Sequence, residues 1–511
     1  MAMNNQGRST GIGTSDFASV SGSSLLPNEP LLFEIGDREH SGVDLPDVEI
    51  DGSFLGGFER KSEIDLAGLT EPETLRHYVR LSRLNYSIDS GMYPLGSCTM
   101  KHNPRLNEKM ARLPGFADIH PLQPVSTVKG ALELMNQLGH WLMTLTNTAA
   151  VCLTPKAGAH GEMAGMMAIR AAQEARGQAH RKVVLVPESA HGTNPATAAF
   201  LGYSVKAVPA RDDGTVDVEA VKAALSPDVA AIMLTNPNTC GLFEPEVIEI
   251  AAAVHEAGAF FYCDGANFNA IMGVVRPGDL GIDAMHINLH KTFSTPHGGG
   301  GPGAGPVVLS EALAPFAPVP FVRKGELVEH AEGQHLGRIT AFNGQMGMYV
   351  RALTYMLSHG GDGLAQAAKD AVLNANYIRA RLERAFSVPF PGQPVMHEAL
   401  FDDSFLEGTG VSTLDFAKAL IDEGFHPMTM YFPLVVHGAM LVEPTESESK
   451  QTLDRFCDVM LELAADAKAG NSARFTAAPT RAPRRRLDET RAARSPVLKW
   501  ERAEELPQAA E

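Results

Sequence analysis

Short apolar runs alternate with amphipathic stretches over residues 150–310, and this alternation limits the folds that the chain can adopt. The apolar runs, which we predict as strands, cover residues 149–153, 183–186, 204–208, 229–235, 259–263 and 284–289. The amphipathic stretches, which we predict as helices, cover residues 161–175, 194–200, 218–225 and 245–257. Such alternation is typical of βα units around a largely parallel sheet with helices on both faces. The sequence therefore predicts a doubly wound α/β domain.

Polar and glycine-rich segments follow these strands at the points where the strands end. They are 157–161 (AGAHG), 189–194 (SAHGTN), 236–238 (NPN), Asp264 and Lys291. Because ligands of such sheets bind beyond the carboxyl ends of the strands, we expect these segments to meet at one site. Asn236 and Asn238 either line that site or only form the turn after their strand.

A single lysine lies between the last predicted strand and a run of glycines. We expect the strand 284–289 to place Lys291 on a loop that leads to GGGG at 298–301. A lysine amine can attack an aldehyde once its surroundings lower its pKa from about 10.4. Glycines let the backbone approach a ligand closely. The run also matches GxGxxG, but a dinucleotide site needs a helix directly afterwards, and residues 305–309 are typical of a strand.

Lys291 and Asp264 together indicate a site for pyridoxal phosphate. This cofactor needs an amine for its covalent link and an acidic partner for its pyridinium nitrogen. Lys291 can supply the first and Asp264 the second. The helix that opens at the glycines of 158–161 can hold the phosphate at its positive end. His191 either lies flat over the ring or only caps the turn that follows it.

The remaining segments predict smaller parts around this domain. Two helices, 347–357 and 364–386, precede an α+β pattern with strands 395–401 and 434–442 and helices 413–423 and 447–467. The predicted divisions are an N-terminal arm and extension (1–120), a large domain (121–387), a small C-terminal domain (388–470) and a basic tail (471–511). We expect the tail, which has three successive arginines at 484–486, to pack on an acidic surface of the protein or of a partner.

Several function classes are disfavoured by the composition. The net charge of -17 argues against nucleic acid as the main partner. No run of 18 apolar residues and no signal-peptide core is present, so we predict a cytoplasmic protein that binds no membrane. The five cysteines form no CxxC pair, which is typical of a reducing compartment.

Metal binding and cysteine chemistry are also disfavoured. His286 and His290 would share one face of a strand, but no acidic ligand or third donor lies beside them in sequence. We therefore predict no metal site. Cys98 has no local neighbour that would lower its pKa, so we expect it to pack or to contact substrate.

Long motifs give the chain a resemblance to a known family. They are HKTF at 290–293 with PHGGGGPGAGP at 296–306, AHGTNP at 190–195, DGANFNA at 264–270, YPLGSCTMK at 93–101 and RRLDETRAAR at 485–494. With them the chain resembles glycine decarboxylase, the P-protein of the glycine cleavage system, over residues 60–500. It has about half the length of the single-chain form and is similar to the second, cofactor-bearing subunit of the two-subunit form.

The resemblance implies a fold, a cofactor and a set of site residues. The fold is the aspartate-aminotransferase-like fold, fold type I, with a large sheet domain and a smaller α+β domain. The cofactor is pyridoxal 5′-phosphate, bound covalently to Lys291. The implied catalytic residues are Lys291, His191 and Asp264. The implied cofactor-binding residues are these three with Gly158, Ala159, Ala266, Asn267 and His290.

The resemblance also implies a reaction and partners. Glycine is decarboxylated, and its aminomethyl group passes to the lipoyl arm of the H-protein as CO₂ is released. The implied partners are glycine, the lipoylated H-protein and glycine decarboxylase subunit 1, with two copies of each subunit.

Three other functions are compatible with parts of the sequence. An aminotransferase of the same fold would bind its substrate carboxylate with an arginine of the small domain, but residues 389–469 contain only Arg455. A non-catalytic scaffold would have no need of both Lys291 and Asp264. A nucleic-acid module that used the basic tail is disfavoured by the net charge.

Overall fold

The computed structural model describes residues 29–36, 46, 49, 52–62, 66–297, 303–329 and 333–500 of the 511. The predictions for the N-terminal arm before residue 29, for the glycines 298–301 and for the acidic end after residue 500 lie outside the described residues. Contacts divide the chain into two units, residues 91–477 and residues 1–90 with 478–511.

A seven-stranded sheet forms the centre of the larger unit. Its strands are β1 (Ala150–Cys152), β2 (Val183–Pro187), β3 (Ser204–Val208), β4 (Val229–Thr235), β5 (Phe260–Asp264), β6 (Ala284–His286) and β7 (Val307–Leu309). Their order is β1-β7-β6-β5-β4-β2-β3. Pairing is parallel from β6 to β3, whereas β7 is antiparallel to both of its neighbours. The predicted mostly parallel sheet is confirmed.

Helices cover both faces of this sheet, and the central strand β4 shows why. Its alternate residues belong to two separate apolar clusters, since Ile232 and Leu234 pack in one and Ala231 and Met233 in the other. The helices of the described chain are Leu32–Ile35, Glu71–Ser82, Arg105–Ala111, Pro114–Ala117, Lys129–Thr146, Gly158–Ala175, Thr193–Phe200, Val218–Ala224, Val247–Glu256, Leu289–Thr292, Met346–Leu382, Thr413–Asp422, Lys450–Lys468, Ser472–Ala477 and Glu489–Arg494. Short 3₁₀ turns cover Gly52–Leu55, Val125–Thr127, Gly265–Ala270, Pro277–Leu280, Ala314–Phe316 and Ser404–Leu406.

The prediction of a strand over 284–289 was wrong at its carboxyl end. Strand β6 ends at His286, and Lys291 lies in a one-turn helix, Leu289–Thr292, rather than on a loop. Pro306 has no N–H with which to extend the ladder beyond His286. The carbonyl of Asn288 instead accepts the N–H groups of Lys291 and the next residue, at 3.0 and 3.1 Å.

A smaller sheet lies in the second half of the same unit. After the hairpin β8 (Phe321–Arg323) and β9 (Glu326–Val328) come β10 (Ala399–Phe401), β11 (Thr429–Met430) and β12 (Met440–Val442), which pair antiparallel in the order β10-β12-β11. The helices Thr413–Asp422 and Lys450–Lys468 accompany them. This is the α+β arrangement that the sequence predicted.

Both predicted strands of this smaller sheet are shorter than expected. Strand β10 begins at residue 399 rather than 395, because the side chain of Asn376 satisfies the backbone of Val395, with its amide 2.6 Å from the Val395 carbonyl. Strand β12 begins at residue 440 rather than 434, after a series of turns. The two helices predicted at 347–357 and 364–386 form Met346–Leu382, which kinks at Gly360 with a φ of 65°.

The smaller unit contains the helix Glu71–Ser82 and residues 478–500 of the basic tail. The buried carboxylate of Glu29 pairs with Arg80, 2.9 Å from its Nη2, and with His77 at 2.6 Å. In the tail, Arg485 and Arg486 donate to the backbone carbonyls of residues 479 and 478, at 3.0 and 2.7 Å. Backbone oxygens hold these two arginines, whereas Arg474, the first arginine of the tail, belongs to the larger unit and pairs with the acidic side chains of Glu423 and Asp466.

None of the helices that the structure describes combines the length and the apolar character needed to cross a bilayer.

Candidate active site

Seven of the eight predicted site residues line one cavity of about 140 Å³. It lies where β4, β5 and β6 end, as expected for ligand sites of parallel sheets. Its walls are formed by Ser97, Gly158, Ala159, Glu162, His191, Thr193, Thr235, Thr239, Asp264, Ala266, Asn267, His286, Asn288 and Lys291. A larger cavity of about 380 Å³, between the helix Lys129–Thr146 and the β8–β9 hairpin, contains none of the predicted site residues.

Asp264 is the last residue of β5 and is 3% exposed. Its Oδ1 accepts the Ala266 N–H at 2.9 Å, and its Oδ2 accepts the Asn194 amide at 3.0 Å. Burial favours the neutral acid, but His286, these two donors and the Lys291 amine outweigh it and hold the pKa of Asp264 below its ordinary value. Asp264 is therefore a buried carboxylate that stays ionised.

His286 is a cavity residue that the sequence analysis considered only as a metal ligand. Its Nε2 lies 3.5 Å from Asp264 Oδ1, and its Nδ1 lies 2.6 Å from the hydroxyl of Tyr262. Burial lowers the pKa of His286, so the ring is neutral near pH 7. A neutral ring can accept the tyrosine O–H on Nδ1 and point its Nε2–H towards Asp264.

Glu162 was missed by the sequence analysis, although it follows Gly158 by one helical turn. Residues four apart lie on one face of a helix, and this spacing is the signal that could have identified it. The amide of Asn194 bridges Glu162 Oε2 and Asp264 Oδ2, at 3.2 and 3.0 Å. Burial and the nearby Asp264 charge raise the pKa of Glu162 to about 7. The cavity thus pairs an ionised carboxylate with one that is half protonated near neutrality.

Gly158 and Ala159 are the first two residues of the helix Gly158–Ala175, which begins three residues earlier than predicted. Ala157 at the N-cap has no side-chain hydrogen bond to the first turn. The open N–H groups and the positive end of the helix therefore border the cavity. A Cβ atom on Gly158 would lie 2.7 Å from Asn288 Nδ2, so the close approach here requires glycine.

Lys291 donates from Nζ to the carbonyl oxygen of Ser97 at 2.9 Å. Ser97 belongs to YPLGSCTMK, a motif that the sequence analysis quoted without giving it a role. The residue has a φ of 64°, an uncommon conformation for a residue other than glycine. The segment that contains Ser97 thus brings a backbone carbonyl to the lysine amine.

His191 both borders the cavity and caps the turn that follows it. Its Nδ1 accepts the Thr193 N–H at 3.2 Å and lies 2.9 Å from the Thr193 hydroxyl. Because Nδ1 is an acceptor, the ring proton is on Nε2. The edge of Phe432 packs against the ring, with centroids 5.6 Å apart. A position of His191 over a cofactor ring stays a prediction.

His290 is the predicted site residue that does not line the cavity. It belongs to the short helix instead of the predicted strand, and its ring packs against His297 with centroids 5.0 Å apart. Burial and the neighbouring His297 lower the pKa of His290 to about 3.

Four other residues that were named from the sequence have contacts or surroundings that the structure describes. Asn238 forms a turn, since its oxygen accepts two backbone N–H groups and its amide donates to Gly214 and Glu244. Asn236 likewise accepts the N–H of Glu244 at 3.0 Å. Burial raises the pKa of the Cys98 thiol to about 11, which makes it a poor nucleophile. The guanidinium of Arg455 lies over Phe425, 5.5 Å from the ring centroid.

These three groups of the cavity suit a ligand with three separate features. The helix N-terminus suits an anionic group, the ionised Asp264 suits a protonated ring nitrogen, and the Lys291 amine suits an aldehyde carbon. Pyridoxal phosphate has all three.

Two family models match the chain. The first, described as Glycine dehydrogenase, C-terminal domain, matches residues 367–481, and the second, Aminotransferase class-V, matches residues 160–335. A protein of Caulobacter vibrioides named probable glycine dehydrogenase (decarboxylating) subunit 2 is 67% identical over 496 residues, 95% of each chain. A Staphylococcus saprophyticus protein of the same name is 48% identical over 93% of this chain and 98% of its own length.

Solved structures show the same fold at low identity. One is a crystal structure of glycine decarboxylase (P-protein) of the glycine cleavage system in inhibitor-bound form, with a TM-score of 0.68 and 20% identity over 80% of this chain and 94% of that one. Lactobacillus brevis glutamate decarboxylase has a TM-score of 0.62 and 14% identity over 87% and 98%. Fold type I is thereby confirmed. The long, high-identity match to the Caulobacter protein shows more, namely that this chain belongs to the family of glycine dehydrogenase (decarboxylating) subunit 2.

Proposed function

We propose that this chain is the cofactor-bearing subunit of a glycine decarboxylase. It decarboxylates glycine with pyridoxal 5′-phosphate and transfers the aminomethyl group to the lipoyl arm of the H-protein, with release of CO₂. Membership of a family named for decarboxylating glycine dehydrogenase supports the reaction. The single observation that carries the assignment of residues is that Lys291 and Asp264 border the same cavity.

The cavity provides a group for each part of pyridoxal phosphate. The Lys291 amine would hold the aldehyde carbon covalently, and the N–H groups at Gly158 and Ala159 would hold the phosphate. When bound, the cofactor supplies an electron sink for the pair released as the bond to the glycine carboxylate breaks. Ala266 and Asn267, in the 3₁₀ turn after β5, would border the ring.

Asp264 would keep a proton on the ring nitrogen of the cofactor. Its pKa is held below the ordinary value by His286, the Ala266 N–H and the Asn194 amide. A carboxylate that is already ionised and fixed by hydrogen bonds needs no reorganisation during the reaction. His191 would face the ring from the other wall of the cavity.

The partners of the chain follow from its family. The name subunit 2 implies a partner subunit. We propose that this partner is glycine decarboxylase subunit 1, that the assembly holds two copies of each subunit, and that the lipoylated H-protein docks on it. A cytoplasmic location accords with the five free thiols.

An aminotransferase on the same fold is the second candidate, and the structure favours it less. Such an enzyme would need a cation for the substrate carboxylate from the small domain. Arg455 covers Phe425 and is not among the residues that line the cavity.

The first experiment tests the covalent link. Lys291→Ala should abolish both the borohydride-reducible cofactor band and the exchange of glycine carboxylate with labelled bicarbonate. The control is Lys369→Ala, which removes an exposed lysine from the helix Met346–Leu382 and should change neither signal. Turnover that persists in Lys291→Ala would end the assignment of this residue.

The second experiment tests the two-subunit assembly. This chain is titrated with subunit 1 in the presence of the lipoylated H-protein, and the glycine–bicarbonate exchange is measured. We expect exchange to rise until the subunits are equimolar and to be low for this chain alone. Full exchange by this chain alone would refute the two-subunit arrangement but not the chemistry at Lys291.

A further inference from the structure

Residues 97–99 form a segment that borders the cavity through Ser97 and that two glutamates distant in sequence hold in place. The N–H of Ser97 donates to Oε1 of Glu398, next to β10. The N–H groups of the following two residues both donate to Oε2 of Glu443, next to β12, at 3.1 and 2.7 Å. Three successive backbone donors therefore end on two side-chain carboxyl groups, and both of these groups are 0% exposed.

The backbone of this segment would not keep its conformation without such support. Ser97 and Thr99 have φ angles of 64° and 50°, in the left-handed region that residues other than glycine rarely occupy. Such conformations persist only where the surrounding structure determines them, and they cluster at functional sites. The hydrogen bonds to Glu398 and Glu443 are among the contacts that hold this one, together with the bond from the Thr429 hydroxyl to the Gly96 carbonyl at 2.7 Å.

The segment 97–99 contacts Lys291 directly. The carbonyl oxygen of Ser97 accepts the Nζ hydrogen bond at 2.9 Å, and Ser97 borders the cavity. A shift of the segment would move this oxygen and the amine that it holds. A misplacement of about 1 Å at a reacting group can reduce a rate by about 100-fold.

Glu398 and Glu443 lie in one buried group of ionisable side chains. With His397 they form a buried group whose ligand-type atoms lie within 4.8 Å of one another. His397 Nε2 is 3.9 Å from Glu398 Oε2 and 3.8 Å from Glu443 Oε1, too far for hydrogen bonds. Burial and the Glu443 charge raise the pKa of Glu398 well above its ordinary value. Glu398 is therefore the protonated member of the pair.

We propose that Glu398 and Glu443 are positioning residues for Lys291, which act through the segment 97–99 by fixing the Ser97 carbonyl. The inference rests on the proposed function, because it concerns the lysine that would carry the cofactor. Neither glutamate borders the cavity itself. Each touches the backbone of the segment, and the segment touches the amine.

The test compares two substitutions of Glu398 in the holoenzyme with subunit 1. Glu398→Gln keeps an acceptor for the Ser97 N–H and stays neutral, like the protonated acid. Glu398→Ala removes the acceptor and frees the segment. We measure the pH midpoint of the visible band of the lysine-bound cofactor, without glycine, and then kcat and KM for glycine–bicarbonate exchange.

The expected results separate positioning from general damage. Glu398→Ala should shift the midpoint by at least about half a pH unit and lower kcat on the order of 10- to 100-fold with a smaller change in KM. Glu398→Gln should keep the midpoint of the wild-type enzyme and a kcat within about threefold of the wild-type value. Glu244→Gln and Glu244→Ala are matched controls, because Glu244 is buried outside this cavity and also accepts a backbone N–H, from Val216 at 2.9 Å. They should leave the midpoint unchanged.

Other outcomes either overturn the proposal or move the test to a second variant. An unchanged midpoint in folded Glu398→Ala overturns it and leaves the proposed function standing. If Glu398→Ala does not fold, Glu443→Ala carries the test, since it removes the acceptor of two N–H groups of the segment. An unchanged midpoint in that variant would overturn the proposal. A wild-type holoenzyme with no lysine-bound band overturns the proposed function and this inference together. The inference would also be overturned if the wild-type protein bound one equivalent of divalent metal tightly and Glu398→Gln and Glu443→Gln both lost it. The group would then be a metal site.

Discussion

Replacement of Asp264 by Asn is the sharpest test of the site, because it changes charge and leaves shape almost unaltered. The carboxylate of Asp264 accepts from Ala266 on one oxygen and from Asn194 on the other. An asparagine keeps one acceptor and replaces the other by an NH₂ group. One of the two donors would then face another donor at about 3 Å, a buried conflict of the kind that costs about 1–3 kcal/mol.

Activity should fall by more than stability alone explains. The variant removes the fixed negative charge that would hold a proton on the cofactor ring. Removal of one preorganised electrostatic group typically costs about 100- to 1,000-fold in kcat, or about 2.7–4 kcal/mol. Cofactor binding should persist, because Lys291 and the helix N-terminus at Gly158 are unchanged. The expected result is a holoenzyme that retains its cofactor and loses at least about 100-fold in exchange rate.

The matched control is Asp283→Asn. Asp283 is another buried aspartate at the same sheet, and its Oδ2 accepts the Phe261 N–H and contacts His255 Nε2, both at 2.8 Å. Its loss should lower the free energy of unfolding by about the same amount but leave kcat within a small factor. The assay is glycine–bicarbonate exchange, with borohydride reduction to count bound cofactor and urea denaturation to measure stability.

The pH dependence provides a second check on Asp264. Its pKa is lower in the folded than in the unfolded chain, so it stabilises the fold above the unfolded value of about 3.9. That contribution is lost as pH falls through the lower folded value, and Asp264→Asn should lack it.

Exchange by Asp264→Asn at nearly the wild-type rate would refute the reasoning, because another group would then pair with the ring nitrogen.

Two further predictions concern the helix N-terminus and a buried acid. Gly158→Val should weaken cofactor binding at least about tenfold in an absorbance titration, because its side chain would enter the space beside Asn288, whereas Gly177→Ala, in an open turn, should not. Burial raises the pKa of Glu244 from 4.5 to about 7. Stability from this group should fall as pH rises between those values, since the unfolded chain releases the proton first. Glu244→Gln should flatten that decline in urea titrations, and an unchanged slope would contradict it.

The sheet and much of the site were predictable from local patterns. All seven residues of β4 are buried, so the run 229–235 carries a strong strand signal in sequence alone. Asp264 and Lys291 follow neighbouring parallel strands, and the topology of such sheets brings their ends together. The error at residues 284–289 came from treating an apolar run as one strand, whereas the chain turns at Asn288 into a helix.

Ser97, Glu398 and Glu443 were missed because their roles depend on contacts between distant parts of the chain. Ser97 and Glu398 are 301 residues apart, and Thr99 and Glu443 are 344 residues apart. No spacing rule relates such positions, because only the folded small domain brings its glutamates to the segment 97–99. His286 was missed for a different reason, since its identity suggested a metal ligand and its partner Tyr262 became evident only in the structure.

The acids near Lys291 show how two buried carboxyl groups can be ionised in one case and neutral in the other. Asp264 and Glu398 are both buried, and burial raises the pKa of any carboxylic acid. The partners decide the outcome, because the donors around Asp264 reverse the effect of burial, whereas the Glu443 charge next to Glu398 adds to it. An ionised acid suits a protonated ring nitrogen, and a neutral acid can hold a backbone without adding charge beside the amine of Lys291. The environment of Asp264 thus suits it to electrostatic stabilisation, and the environment of Glu398 suits it to positioning. Sequence alone would treat the two acids as equivalent.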